Sequence, residues 1–323
     1  MSVSPASVLL IASLPSLEPP LSLVPAIVAA TRAARENLTI LLYSPLFNSS
    51  GGINHSQSFD QVQRLLTFVY VQATKVSQEL NKILLNIDVL LKGLDNDYQF
   101  LKDFDTLFRI TEEHIDIPIP SRVLSLPQTY INRSEDDSVS SEPHTHPDEL
   151  SPSNVDTPST YPVVALGGTF DHLHPGHKIL LSMALFITSR KIIVGVTHSS
   201  LLRNKINADF LESLETRIAN VRQFSELFWP GLESYDVVPI EDVYGPTGWD
   251  TDIQALVVSK ETLKGAEAIA SHRASKSLPP LKTFIIDVIS HDSVNLDDSD
   301  QDWLRNAKMS STFIRGWIAR QKA

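Results

Sequence analysis

The alternation of short apolar runs with helix-like segments constrains the fold of this chain most strongly. In the first half, strand-like runs such as "SVLLIASL" and "LTILLYSP" alternate with helical patterns such as "FDQVQRLLTFVYVQATKVSQELN". After residue 160 the alternation returns, with continuous apolar runs such as "KIIVGVT". This order predicts α/β domains, and strands that are apolar throughout are typical of parallel sheets covered on both faces. We predict a Rossmann-like, doubly wound parallel sheet in the C-terminal half and a smaller α/β domain before it.

Composition divides the chain into three parts. Residues 133–160 are rich in Ser, Pro and Asp and contain almost no aliphatic residues, so burial cannot offset the entropy lost on ordering. We therefore predict an N-terminal α/β domain at residues 1–132, an acidic disordered linker at 133–160 and a second α/β domain at 161–323. No motif assigns a chemistry to residues 1–132.

Charge and cysteine content narrow the class of protein. The net charge is −11, but residues 133–160 hold seven acidic residues against one arginine, and residues 287–302 hold six aspartates, so the rest of the chain is nearly neutral. This nearly neutral remainder lacks the basic surface that binding to nucleic acid requires. The absence of cysteine predicts an intracellular, cytoplasmic protein, with the nucleus or an organelle surface as alternatives. No apolar run is long enough to span a bilayer, and the N-terminal apolar run has no basic flank, which predicts a buried strand.

One turn of the second domain concentrates polar chemistry. "GGTFDHLHPGH", residues 167–177, follows the strand-like run "PVVALG" and opens a helical pattern at Pro175. Glycines at the start of the turn let backbone N–H groups approach a ligand, and the helix N-terminus favours phosphate. His174 and His177 lie three residues apart and are expected on the same side of the first helical turn.

Three interpretations of these histidines are compatible with the sequence. Asp171, His172, His174 and His177 could ligate zinc, although no distant cluster supplies further ligands. The histidines could serve only in capping and packing. They could also bind phosphate, since imidazole donates to phosphoryl oxygens in either charge state.

The motif "GGTFDHLHPGH" resembles the signature of the nucleotidylyltransferase superfamily, and "KMSSTFIR" near the C-terminus resembles that superfamily's second phosphate motif. Between them, "VVPIEDVYGPTG" and "LVVSKET" resemble the eukaryotic type of phosphopantetheine adenylyltransferase. The resemblance extends from about residue 163 to residue 323. The N-terminal half is similar, more faintly, to the region that precedes this domain in the eukaryotic proteins, which implies possible protein partners in the coenzyme A pathway.

This resemblance implies transfer of AMP from ATP to 4′-phosphopantetheine, with Mg²⁺ held mainly by the ATP phosphates. It implies catalytic roles for His177, His174 and Lys205. It also implies that a set of further residues binds nucleotide and phosphate: Gly168, Thr169, Phe170, Gly176, Arg273, Ser310, Ser311, Thr312 and Arg315. Arg217 also matches a family arginine, with a structural ion pair as its alternative role.

Some features depart from the family or leave alternatives open. Gly265-Ala266 and Ala270 stand where relatives tend to have two glycines and an asparagine. No GxxxxGK[ST] motif is present, so no fused dephospho-CoA kinase is expected. A cytidylyltransferase acting on a phospho-alcohol shares the HxGH motif, and a non-enzymatic scaffold could retain the fold. Both remain alternatives at this point.

Overall fold

The computed structural model describes residues 5–95, 102–134, 157–287 and 309–322, which form two compact units. The first unit is Met1–Ser159 and the second is Thr160–Ala323. Residues 135–156, which make up most of the predicted disordered linker, lie outside the described residues. None of the helices in the described segments has the length and apolar character needed to cross a bilayer.

The first unit is a parallel five-stranded sheet with order β3-β2-β1-β4-β5. Its elements are β1 (Ser7–Ser13), α1 (Val24–Ala33), β2 (Asn37–Tyr43), α2 (Phe59–Glu79), β3 (Asn86–Lys92), β4 (Thr106–Ile110), α3 (Ser121–Leu124) and β5 (Gln128–Ile131). The first five were predicted from their periodicity. The last three were not, because each spans only four or five residues, and β5 is also mostly exposed.

The second unit is also a parallel five-stranded sheet, with order β10-β9-β6-β7-β8. Its elements are β6 (Tyr161–Gly168), α4 (Pro175–Phe186), β7 (Thr188–Thr197), α5 (Leu214–Phe228), β8 (Ser234–Ile240), β9 (Ala255–Ser259), α6 (Leu263–Ser275), β10 (Lys282–Ile286) and α7 (Ser311–Lys322). The prediction of a doubly wound parallel sheet is confirmed. The strand order reverses between β6 and β9, so the carboxyl end of β6 lies where ligands bind in such sheets.

The boundary between α4 and β7 differs from the sequence-based expectation. The pattern predicts a helix as far as Arg190, but the helix ends at Phe186 and Thr188 already pairs with Tyr161 of β6. The Thr188 hydroxyl donates to the Ala184 carbonyl at 2.7 Å, which satisfies an acceptor at the helix end. Strand pairing therefore overrides the helical periodicity of this segment.

Both ends of the acidic segment are bound to the first unit. Arg133 donates to the Ser13 carbonyl at 2.8 Å, and the backbone N–H of Ser134 donates to the Ser22 carbonyl at 3.1 Å. At the other end, the Ser159 carbonyl accepts from the backbone N–H of Ser56 at 2.9 Å. The described residues at both ends of the segment thus contact the first unit.

Candidate functional site

The turn after β6 is held in an unusual backbone conformation. Phe170 and His172 both have positive φ, 50° and 44°, which is strained for residues with side chains. The Thr197 hydroxyl donates to the Gly168 carbonyl at 3.1 Å, and Arg217 donates to the Thr169 carbonyl at 2.8 Å. These bonds fix residues 168–172 at the carboxyl end of the sheet.

The helix that follows presents two histidines at its first turn. His174 is the N-cap of α4 and its side chain makes no capping bond, while Pro175 and Gly176 open the helix. The rings of His174 and His177 are stacked, with centroids 3.8 Å apart. A Cβ atom on Gly176 would lie 3.3 Å from Cε1 of His174, closer than most real contacts. Glycine therefore lets the His174 ring lie against the helix start.

Burial controls the charge of His177. Its ring packs against Phe170, with centroids 5.2 Å apart, and burial lowers the pKa of His177 to about 3. Its Nδ1 atom is buried and has no hydrogen-bond partner among the described residues. The imidazole is thus neutral at physiological pH and can donate one hydrogen bond to a ligand.

The last helix meets the same turn. The Ser311 hydroxyl donates to the Asp171 carbonyl at 2.7 Å, and Arg315 donates to the Asp171 carboxylate at 2.5 Å. Ser310 Oγ accepts from the backbone N–H of Phe313 at 3.2 Å, as a helix cap does. The two motifs, about 130 residues apart in sequence, therefore converge on one turn of the second unit.

Glu212 supports the turn, and no motif in the sequence marks it. It lies in the connection between β7 and α5, and its carboxylate accepts from the backbone N–H of His172 at 2.7 Å. Its own N–H donates to Asp171 at 2.9 Å, and its carbonyl accepts from Arg217 at 3.2 Å. Glu212 joins Asp171 and Arg217 in one network beneath the turn, a relation that depends on contacts between distant segments.

Arg217 is a buried structural arginine. It is 1% exposed, and burial lowers its pKa. The nearby carboxylates of Asp171 and Glu212 offset part of this shift. Its guanidinium binds the carbonyls of Thr169, Thr197 and Glu212. The side chain therefore shapes the turn that carries Thr169.

Two other predicted residues lie in different surroundings. Lys205 is exposed, in the connection between β7 and α5. Arg273 is 1% exposed on α6 and donates to the carbonyls of Pro279, Thr247 and Asp250. Its Nη2 atom is buried without a partner among the described residues. No hydrogen bond among the described residues joins either side chain to the histidines, so their roles as ligands of phosphate stay predictions.

The zinc interpretation has no support from the geometry. The described residues contain no group of three or more His, Asp or Glu side chains that could hold a metal ion. Asp171 is fully buried and paired with Arg315, and Nε2 of His172 lies 2.8 Å from the Phe210 carbonyl, to which it donates. These two side chains support the turn.

A cavity of about 420 Å³ lies beside the loop that carries Lys205. It is lined by the loop that follows β7 and by the first turn of α5, including His198, Arg203 and Arg217. Among the described residues, this lining does not include His174, His177 or Ser311. The cavity is adjacent to the turn rather than part of it.

Comparison with known proteins matches the second unit. The model of the cytidylyltransferase-like family covers residues 165–316. A phosphopantetheine adenylyltransferase of Saccharomyces cerevisiae is 44% identical over 47% of this chain and 47% of its own length. Phosphopantetheine adenylyltransferases of Methanopyrus kandleri and Thermococcus gammatolerans are 39% and 36% identical, over 48% and 49% of this chain and 89% and 90% of theirs. The matched segment thus spans about half of the yeast relative and nearly all of the archaeal ones.

Proposed function

This chain belongs to the phosphopantetheine adenylyltransferase family, and we propose that its second unit transfers AMP from ATP to 4′-phosphopantetheine, yielding dephospho-CoA and pyrophosphate. The observation that carries the proposal is the contact of Ser311 and Arg315 with Asp171, which brings the second motif to the turn that leads into the HxGH helix. A site for a triphosphate needs donors from more than one segment, and this contact places the start of α7 beside that turn.

The proposed reaction is a direct in-line displacement. A phosphate oxygen of 4′-phosphopantetheine attacks the α-phosphorus of ATP, and the bond from that phosphorus to the β-bridging oxygen breaks as pyrophosphate leaves. The protein then acts by positioning the reactants and stabilising charge. Neutral His177 would donate one hydrogen bond to the α-phosphoryl group, and charge developing there would favour its imidazolium form.

The other phosphate contacts are assigned by segment. His174 and the free N–H groups at the start of α4, including that of Gly176, would bind ATP phosphates. Thr169 and the backbone from Gly168 to Phe170 would hold the attacking phosphate. At the start of α7, the hydroxyls of Ser310 and Thr312 and the backbone N–H of Ser311 would hold the β- and γ-phosphates, since the Ser311 hydroxyl donates to the Asp171 carbonyl. Lys205 would bridge the phosphates of both substrates. Arg273 would contribute through Nη2, the one nitrogen of its guanidinium that lacks a partner among the described residues.

Magnesium enters this proposal as part of the ATP complex. The carboxylate nearest the turn, Asp171, uses Oδ2 for Arg315 and Oδ1 for the Glu212 N–H. It therefore does not fit a metal-ligand role, and we assign no protein ligand to the ion and no step to it.

Turnover measurements separate this proposal from its competitors. The full chain is incubated with Mg²⁺, 4′-phosphopantetheine and either ATP or CTP, and pyrophosphate and the nucleotide product are measured. We expect dephospho-CoA with ATP. Turnover with CTP alone would favour a cytidylyltransferase, the alternative that the family description suggests. No turnover with either nucleotide would favour a non-enzymatic scaffold.

We propose that the N-terminal domain predicted at residues 1–132 binds protein partners in the cytoplasm, and that residues 161–323 form the catalytic domain. The strand order of the first unit reverses between β1 and β4. At the carboxyl ends of those strands, Glu113 accepts from Ser13 at 2.7 Å and pairs with Arg133, so polar side chains of the domain itself occupy that place. Candidate partners are the enzymes that supply 4′-phosphopantetheine or consume dephospho-CoA. Co-precipitation with the full chain tests this proposal, and capture of neither enzyme would contradict it.

A further inference from the structure

Arg315 is predicted from the sequence as a phosphate ligand, yet its guanidinium is occupied within the protein. The residue is 1% exposed. Nη1 donates to Asp171 Oδ2 at 2.5 Å, Nε donates to the Ile206 carbonyl at 3.0 Å, and Nη2 donates to Thr312 Oγ1 at 3.2 Å. An arginine that clamps phosphate presents two parallel N–H groups to its ligand. Here all three nitrogens already donate to protein acceptors.

The carboxylate that receives Arg315 is equally engaged. Asp171 is fully buried, and its second oxygen accepts from the Glu212 N–H at 2.9 Å. Its carbonyl accepts from Ser311 at 2.7 Å. A buried ion pair of this kind resists separation, because loss of one partner leaves an uncompensated charge in the interior. The pair is therefore a rigid junction between the first turn and α7.

The Ile206 carbonyl, another acceptor of Arg315, connects this junction to Lys205. Ile206, whose carbonyl Arg315 binds, is the next residue along the chain from Lys205. The same loop is also held at Phe210, whose carbonyl binds His172 and whose ring lies 5.3 Å from Nζ of Lys322 on α7. The loop is held at two points that follow Lys205 in the chain, while the Lys205 side chain remains exposed.

We propose that Arg315 is a positioning residue: it fixes the loop carrying Lys205 and the turn carrying Asp171 against the last helix, and it does not contact phosphate. The part of this inference that concerns Lys205 rests on the proposed function. The part that concerns the loop rests on the contacts alone.

The first test uses Arg315→Lys in the full chain without substrate. Lysine can keep a charge beside Asp171 but cannot also bind Ile206 and Thr312 through a planar fork, so the fold is retained and the loop is released. We expect faster hydrogen exchange of the amides of residues 201–210, with little change in β6 and β7. Exchange equal to that of the wild type would overturn the inference, whether or not the protein is an adenylyltransferase. Arg320→Lys, an exposed arginine on the same helix, is the matched control and is expected to change nothing.

The second test separates positioning from direct phosphate binding. We expect Arg315→Lys to lower kcat by about 10²-fold, the order of loss that misplacement of a reacting group by about 1 Å can cause, with a change of less than about threefold in the dissociation constant of ATP. The Lys205→Ala/Arg315→Lys double variant should be no slower than Lys205→Ala, because Arg315 acts through that loop. ATP binding weakened more than about tenfold would instead identify Arg315 as a phosphate ligand. Multiplying losses of kcat would show that Arg315 does not act through the loop and would overturn the part of the inference that concerns Lys205.

Failure of the proposed function would be recognised separately, as absent turnover by the wild-type chain. Hydrogen exchange in the loop would still decide the structural part of the inference in that case.

Discussion

At the scale of the residue, the buried imidazole of His177 leads to two predictions, one on catalysis and one on the pH dependence of stability. The first concerns its contribution to catalysis. We expect His177→Ala to lower kcat by about 10²- to 10³-fold, which is typical of removing one transition-state donor. The change should keep the fold, seen as one cooperative thermal unfolding transition, because the residue lies in the first turn of α4. His114→Ala, at an exposed histidine of the first unit, is the matched control. A kcat close to that of the wild type would remove His177 from the mechanism.

The second prediction concerns the dependence of stability on pH. The pKa of His177 is lowered to about 3 by burial, against 6.5 as its ordinary value. Between these values the unfolded chain binds a proton that the folded chain does not, so the contribution of the neutral ring is lost as the pH falls below about 6.5. We expect His177→Asn to lose less free energy of unfolding than the wild type between about pH 7 and about pH 5, as measured by urea titration. Parallel losses in the two proteins would contradict the low pKa.

At the scale of the element, the end of β3 carries a second buried titratable group. Lys92 is 6% exposed, and burial lowers its pKa to about 7. From about pH 7 to about pH 10 the unfolded chain keeps a proton that folded Lys92 releases, so stability is expected to rise with pH through this window. Lys92→Met should flatten that rise, as measured by the free energy of unfolding at about pH 7 and about pH 9. An unchanged slope in the variant would show that Lys92 is charged in the folded protein.

The elements that the sequence predicted are those whose apolar pattern is long. β1, β2 and β3 each have five or more buried positions, and their pattern was sufficient to predict them. β5 has four residues, of which three are exposed, and only its pairing with β4 identifies it as a strand. Short edge strands are specified by their neighbours, so sequence periodicity does not reveal them.

At the scale of the whole molecule, the contacts at the two ends of the acidic segment predict that the protein stays active when the segment is shortened. Arg133 and Ser134 on one side, and Ser159 on the other, bind the first unit, and these bonds do not involve residues 138–153. We expect deletion of residues 138–153 to change kcat by less than about twofold, because their composition predicts no packed core. Replacement of the same residues by a Gly-Ser stretch of equal length is the control. If the deletion alone lowers kcat, the length of the segment matters to the site.

The sequence by itself determined the α/β class, the parallel second sheet and the position of the HxGH turn, because apolar periodicity and turn chemistry are local properties of the chain. It also indicated that the second motif belongs with the first, through their resemblance to one family. Only the tertiary structure decided how the two meet, since Asp171, Glu212 and Arg315 become partners when distant segments pack in a dry interior. The same packing decided that the His177 ring is neutral and that the guanidinium of Arg315 lies within the protein, because the protonation and orientation of a side chain depend on what surrounds it.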